Sequence, residues 1–218
     1  MPVSATAMSE VIVGKWSLPG SLGCPAKASS LVIFAHGSGS SRFSERNRKV
    51  AVMLNRAGIA TLLFDLLYPE EEMAAGRARV FDIPFLAARL TDAVAWSATT
   101  VVGGLPVGLF GASTGAAAAL TAAAQLGTRI GAVVSRGGRP DLAGAALEKV
   151  RAPTLLIVGG NDPEVLELNR RAAHRMTGLC VVEIVPGASH LFPEPGAMER
   201  VTQLATDWFT RHLAPLVV

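Results

Sequence analysis

Short apolar runs alternate with longer stretches of helical spacing along almost the whole chain. Runs at 31–35, 60–66, 107–110, 130–134, 154–158 and 181–185 are too short for buried helices and are flanked by Gly, Pro or Asn, so they predict strands. Residues 11–18 predict an edge strand, and the Gly/Pro/Ser-bearing stretch 19–30 predicts a loop. Helices are predicted at 45–56, closed by Gly58 where a C-terminal glycine belongs, at 83–98, and at 142–150. Two more are predicted at 163–176 and 195–213; the former aligns Val165, Leu168, Ala172 and Met176 on one face. The segment 67–79 carries Pro69, three consecutive glutamates and Gly76, and it predicts an excursion over the surface. Strands separated by helices imply a mainly parallel sheet with helices on both faces, an α/β fold. No internal repeat, linker or composition break divides it, so a single domain over 1–218 is expected.

One junction stands out. The apolar run 107–110 passes directly into Gly111-Ala112-Ser113-Thr114-Gly115 and then into a row of alanines. That is a strand, a one-residue corner and a helix. A serine at such a corner takes a strained conformation, and its neighbours two positions away must lack side chains for strand and helix to pass closely. The corner exposes the Ser113 hydroxyl at the N-terminus of the new helix, where developing negative charge is favoured. Ser113 is therefore the candidate nucleophile.

Composition narrows the surroundings. Half of the 218 residues are hydrophobic and 17% are charged, as a sheet buried on both faces requires. Net charge is +3 with scattered arginines, which implies no nucleic-acid partner. No apolar run reaches membrane-spanning length, and the first ten residues lack the pattern of a signal peptide, so no membrane partner and a cytoplasmic location are expected. Cys24 and Cys180 read as two reduced thiols. Nothing in the pattern calls for a metal or another cofactor, and monomer and homodimer both stay open.

In such sheets function gathers at the carboxyl ends of the strands. A serine hydroxyl needs a base, and the base needs a carboxylate to hold its tautomer. The expected chain order in this fold is serine, acid, histidine. His190, in the loop after the last strand, is the candidate base; His174 and His212 fall on helices. Asp162 directly follows a strand and is the candidate acid, although an aspartate before Pro163 is also a good helix N-cap. Asp141 is the alternative, and Asp65 breaks the order. The stretch His36-Gly37-Ser38-Gly39-Ser40-Ser41 offers three readings: a phosphate cradle without the lysine of a P-loop, a flexible turn, or half an oxyanion hole. In the third, the N–H of Ser38 (or of Gly37) and that of Thr114 bind the negative oxygen of a tetrahedral intermediate. His36 then fixes the loop. Arg136 and Arg139 either contact an acidic substrate or pair with a structural carboxylate.

With HGSGS after a strand, GASTG at the elbow, LLIVGGND and GASHLF in that order, the chain resembles an α/β-hydrolase of the dienelactone hydrolase-like group over residues 31–213. The resemblance implies an esterase-type hydrolase with Ser113, Asp162 and His190 as triad and Ser38 and Thr114 as oxyanion donors. The dienelactone hydrolases proper use a cysteine nucleophile, so the serine here favours a carboxylesterase over lactone opening.

The interval between the strands at 130–134 and 154–158, where lipase-like relatives insert a lid, has room for one helix. That leaves Leu66, Leu67 and Tyr68, with Gly37, as the substrate-binding candidates, and it predicts short or soluble esters. Acyl transfer to another acceptor uses the same residues. A hydrolase-fold protein that only binds a ligand or partner is the reading of another class, and the complete serine, acid and histidine set argues against it.

Overall fold

The computed structural model describes residues 6–74 and 77–213. An eight-stranded sheet forms its centre, in the order β1-β2-β4-β3-β5-β6-β7-β8. The strands are β1 (Met8–Val13), β2 (Leu18–Gly23), β3 (Ser30–Ala35), β4 (Ile59–Phe64), β5 (Val107–Ala112), β6 (Ile130–Arg136), β7 (Thr154–Gly159) and β8 (Cys180–Val185). From β4 to β8 every pairing is parallel, while β2 runs antiparallel to both β1 and β4. The α/β class expected from the alternating pattern is the one observed.

The interior parallel strands are continuous apolar runs because both of their faces are covered. On one face α1 (Glu45–Arg56) and α7 (Ala197–His212) pack over Val32, Phe34, Phe110, Val134 and Ile157. On the other, α4 (Ile83–Ser97) and α5 (Thr114–Leu126) pack over Leu31, Ile33, Leu109 and Val133. Except for the half-buried Ala124, the alanines of α5 are buried, and their small side chains let this helix lie close against the sheet. α6 (Pro163–Arg175) joins the same layer through Ala172.

Two expectations need correction and one needs refining. Residues 11–18 are not one strand: the chain reverses at 14–17 and returns as β2, so half of the expected loop 19–30 lies inside the sheet. The reversal has a definite cause. Gly14 takes φ +63°, a Cβ there would run into the Asp92 carboxylate, and that carboxylate accepts the Lys15 N–H at 2.8 Å. The segment after β4 does run over the surface, but it is not a loop: Leu67 is buried, most of the rest is exposed or half-buried, and two short helices follow, α2 (Pro69–Ala74) and α3 (Arg77–Val80). Arg89 of α4 holds them down, with two bonds to the Glu71 carboxylate at 2.6 and 2.7 Å and one to the Leu66 carbonyl at 2.7 Å. Finally, the helix expected at 142–150 is a 3₁₀ segment, Pro140–Lys149, broken where Gly144 takes φ +54°.

Candidate active site

β5 enters the elbow at Ser113, whose φ of 51° and ψ of −121° are the strained geometry the corner demands. The flanking glycines are steric necessities. A Cβ on Gly111 would lie 2.4 Å from the Ala116 Cα, and one on Gly115 would lie 2.2 Å from the Ala35 carbonyl oxygen. The second contact presses α5 against the end of β3. The His36–Ser41 loop therefore starts beside the serine, and a Cβ on Gly37 would stand 3.0 Å from Ser113 Cβ.

His36 fixes that loop. Its buried ring accepts the Leu66 N–H at Nε2 (2.9 Å), so Nδ1 carries the proton and donates to the Gly37 carbonyl at 3.0 Å. Burial pushes its pKa below the ordinary histidine value, against the smaller upward pull of that carbonyl and of Asp65. Asp65 sits farther along, where it accepts the Arg42 N–H at 2.7 Å and pairs with the Arg42 guanidinium. This places it in loop support and not beside the base.

The base and acid candidates come together across two other strand ends. His190 Nδ1 and Asp162 Oδ2 are 2.7 Å apart. Asp162 occupies the N-cap position of α6 yet makes no capping bond with its side chain. Backbone bonds lock the two loops together: Asn161 N–H donates to the Ala188 carbonyl and Gly160 N–H to the Val185 carbonyl, each at 2.9 Å. Glu194 holds the far side by accepting the Ser189 N–H at 3.0 Å. That bond keeps its carboxyl below the usual range. Sequence reasoning missed Glu194, because its only signal is a position five residues beyond Ser189 in an irregular loop.

The peptide between Arg136 and Gly137 separates this pair from the elbow. Arg136 O accepts the Ser113 N–H at 3.2 Å, and a Cβ on Gly137 would lie 3.7 Å from His190 Cε1. Ser113 and His190 thus meet over one peptide unit, without a direct hydrogen bond in this geometry. The alternative acid, Asp141, is spent on Arg139 in a two-bond pair at 2.8 and 2.9 Å. Arg136 is different. It is buried, its guanidinium reaches the Met198 sulfur (Sδ) at 3.9 Å, and no carboxylate among the described residues pairs with it. Burial and the neighbouring Arg46 push its pKa down to about 10.

A small cleft opens beside the elbow, lined by Gly37, Ser38, Leu66, Leu67, Val80 and Thr114 among others; Ser113, Asp162 and His190 are not part of its lining. Tyr68 is absent from this lining. Its hydroxyl bonds the carbonyls of Trp16 and Ser17 at 3.0 and 2.7 Å, away in the β1–β2 turn. A larger groove lies between α1 and α7 and contains none of the candidate site residues. The smaller cleft holds the oxyanion candidates Ser38 and Thr114, the latter directly after Ser113, and the larger groove holds no candidate site residue.

An α/β sheet with a serine elbow and a histidine–carboxylate pair above it defines a hydrolase-type fold. The family described as "Alpha/beta hydrolase domain" matches residues 28–208. A crystal structure of dienelactone hydrolase from Anabaena variabilis is 52% identical, with a TM-score of 0.89, over 95% of this chain and 98% of that one. The protein belongs to the α/β-hydrolase family, in its dienelactone hydrolase-like group. Est1E from Butyrivibrio proteoclasticus shares the fold at 17% identity and a TM-score of 0.78, over 96% of this chain and all of the other. Two Mycobacterium tuberculosis proteins, provisionally named phosphoribosyl transferases, are 59% identical over 205 residues. That match spans 94% of this chain and 46% of theirs, so the chain spans about half the length of these relatives. No helix among the described residues is long and apolar enough to cross a membrane.

Proposed function

We propose that this chain hydrolyses small carboxylic esters through an acyl-enzyme, with Ser113 as nucleophile, His190 as base and Asp162 as the acid that orients it. The observation that carries the reading is the 2.7 Å contact between His190 Nδ1 and Asp162 Oδ2, made by an N-cap aspartate that leaves its helix uncapped. With Nδ1–H donated to Asp162, the lone pair of Nε2 is left for the serine.

Ser113 Oγ attacks the ester carbonyl carbon while its proton passes to His190 Nε2, and the carbonyl π electrons move to oxygen. The N-terminus of α5 stabilises that oxygen through the Thr114 N–H, which at the first position of the helix has no acceptor among the described residues. Collapse expels the alcohol, which takes the proton from His190. Water then repeats the sequence on the acyl-serine and releases the acid. The cleft walls Leu66 and Leu67 receive the acyl group.

Opening of a lactone is the second reading, favoured by the dienelactone hydrolase at 52% identity. It uses the same atoms, with the leaving alkoxide tethered to the acyl group. The transferase name belongs to proteins about twice as long as this chain, and an elbow serine with a histidine–aspartate pair is suited to acyl chemistry. Acyl transfer to an acceptor other than water differs only in the last step.

Intact-mass measurement after exposure to a fluorophosphonate tests the proposal. One adduct on the wild type and none on Ser113→Ala is expected. An unlabelled wild type, or a labelled Ser113→Ala protein, overturns it.

A further inference from the structure

The N–H of Ser38, the expected second oxyanion donor, is not free. It donates to Thr114 Oγ1 at 3.0 Å. Thr114 is 4% exposed, lines the cleft next to Gly37 and Ser38, and is the residue directly after the nucleophile. Its hydroxyl accepts one hydrogen bond and makes no donor contact among the described residues, so its proton is uncommitted. The hydroxyl rotates about Cβ–Oγ1 without disturbing the bond it accepts.

We propose that the Thr114 side chain is itself an oxyanion donor: the negative oxygen receives the Thr114 N–H and the Thr114 O–H, and Ser38 acts behind the hydroxyl. Accepting the Ser38 N–H draws electron density from Oγ1 and makes its O–H a better donor, as in any chain of hydrogen bonds. It also pins the rotamer, so the donor is in place before charge develops. Preorganised donors of this kind act because they need not reorganise during the reaction. The inference rests on Ser113 being the nucleophile, as proposed above. It adds a catalytic side chain where backbone N–H groups alone were expected, and it moves Ser38 from first contact to support.

The opposite arrangement gives an opposite sign. If the hydroxyl merely occupies the Ser38 N–H at rest, removing it frees a backbone donor and speeds the reaction. If the hydroxyl donates to the transition state, removing it slows the reaction. Thr114→Val keeps the shape and deletes the hydroxyl; Thr114→Ser keeps the hydroxyl. We expect Thr114→Val to lower kcat on p-nitrophenyl acetate by about 10²–10³-fold, the loss typical of one oxyanion donor. KM should change little, and Thr114→Ser should restore most of the rate. Thr114→Ala carries the same test should valine prevent folding. A kcat for the valine or alanine variant equal to or above that of the wild type overturns the inference. So does an equal loss in the serine variant. Fluorophosphonate labelling of the wild type separates this failure from failure of the hydrolase reading. A labelled wild type with a fast Thr114→Val variant refutes only the role of the hydroxyl, and an unlabelled wild type refutes both.

Discussion

Asp162 stands at the head of α6 and gives its carboxylate to His190 instead of to the helix. An aspartate in that position ordinarily accepts a backbone N–H from the first turn, a bond whose loss costs about 0.5–2 kcal/mol. Here Oδ2 is 2.7 Å from the imidazole, so the geometry trades local helix stability for a fixed ring. Asp162→Asn should therefore leave folding and KM close to wild type and reduce kcat by about 10⁴-fold, because the amide favours the wrong tautomer. Asp141→Asn, which breaks a pair with Arg139, should leave kcat within a few fold. Steady-state kinetics on both variants decide the matter, and the reverse pattern would move the acid to the end of β6.

Chain-length preference follows from the small cleft. Leu66, Leu67 and Val80 offer a short apolar wall, and each methylene buried there contributes up to about 0.8 kcal/mol. Methylenes beyond the wall contribute nothing. We expect kcat/KM on p-nitrophenyl esters to peak between acetate and butyrate and to fall beyond about six carbons. A rate rising to dodecanoate, or jumping at the solubility limit, would show that α2 and α3 move aside as a cover.

Acid should loosen the His36–Ser41 loop before it unfolds the sheet. The folded-state pKa of His36 lies below its ordinary value of 6.5 because the ring is buried, while the unfolded chain titrates near 6.5. Below 6.5 the unfolded state binds a proton that the folded state refuses. The stabilisation is therefore complete above pH 6.5 and is lost as pH falls from there toward the folded-state value. Denaturant midpoints measured from pH 7.5 to 5 should fall for the wild type, and fall less for His36→Gln. Parallel curves would contradict this assignment.

Arg136 supplies a fourth test. A buried guanidinium with no carboxylate partner among the described residues is a net cost to folding, and a methionine of similar length relieves it. Arg136→Met should raise stability by about 1–3 kcal/mol in urea denaturation. A loss of stability would show that the cation has a counter-charge in solution.

The readable parts of the sequence were those where one backbone constraint dictates residue type. The elbow is such a place: only glycine clears Ala116 and the Ala35 carbonyl, so Gly111 and Gly115 announced it. Asp162 and His190 could be named because they end strands in the expected order. The β1–β2 hairpin was hidden because its returning strand, Leu18–Gly23, is written with Pro, Gly and Ser, the vocabulary of loops. Its burial comes from neighbours on both sides, which no local window contains. The folding of 69–74 and 77–80 was equally hidden, since it depends on Arg89 meeting Glu71 across 18 positions of sequence. The bond from Ser38 to the Thr114 hydroxyl joins residues 76 apart, and no spacing rule suggests it.

Tyr68 leaves the cleft to reach the β1–β2 turn, and this changes how the site would evolve or be redesigned. The wall formed by Leu66 and Leu67 is braced at one end by His36 and, just past the other, by a phenol fastened to the Trp16 and Ser17 carbonyls. A braced wall discriminates by refusing oversized substrates, since it cannot yield to them. Shape selectivity is then stored partly in an outlying hairpin that never meets the substrate. Removing the Tyr68 hydroxyl, as in Tyr68→Phe, would retune the acceptable acyl size without altering a single atom of the cleft lining, and libraries confined to that lining would never sample it.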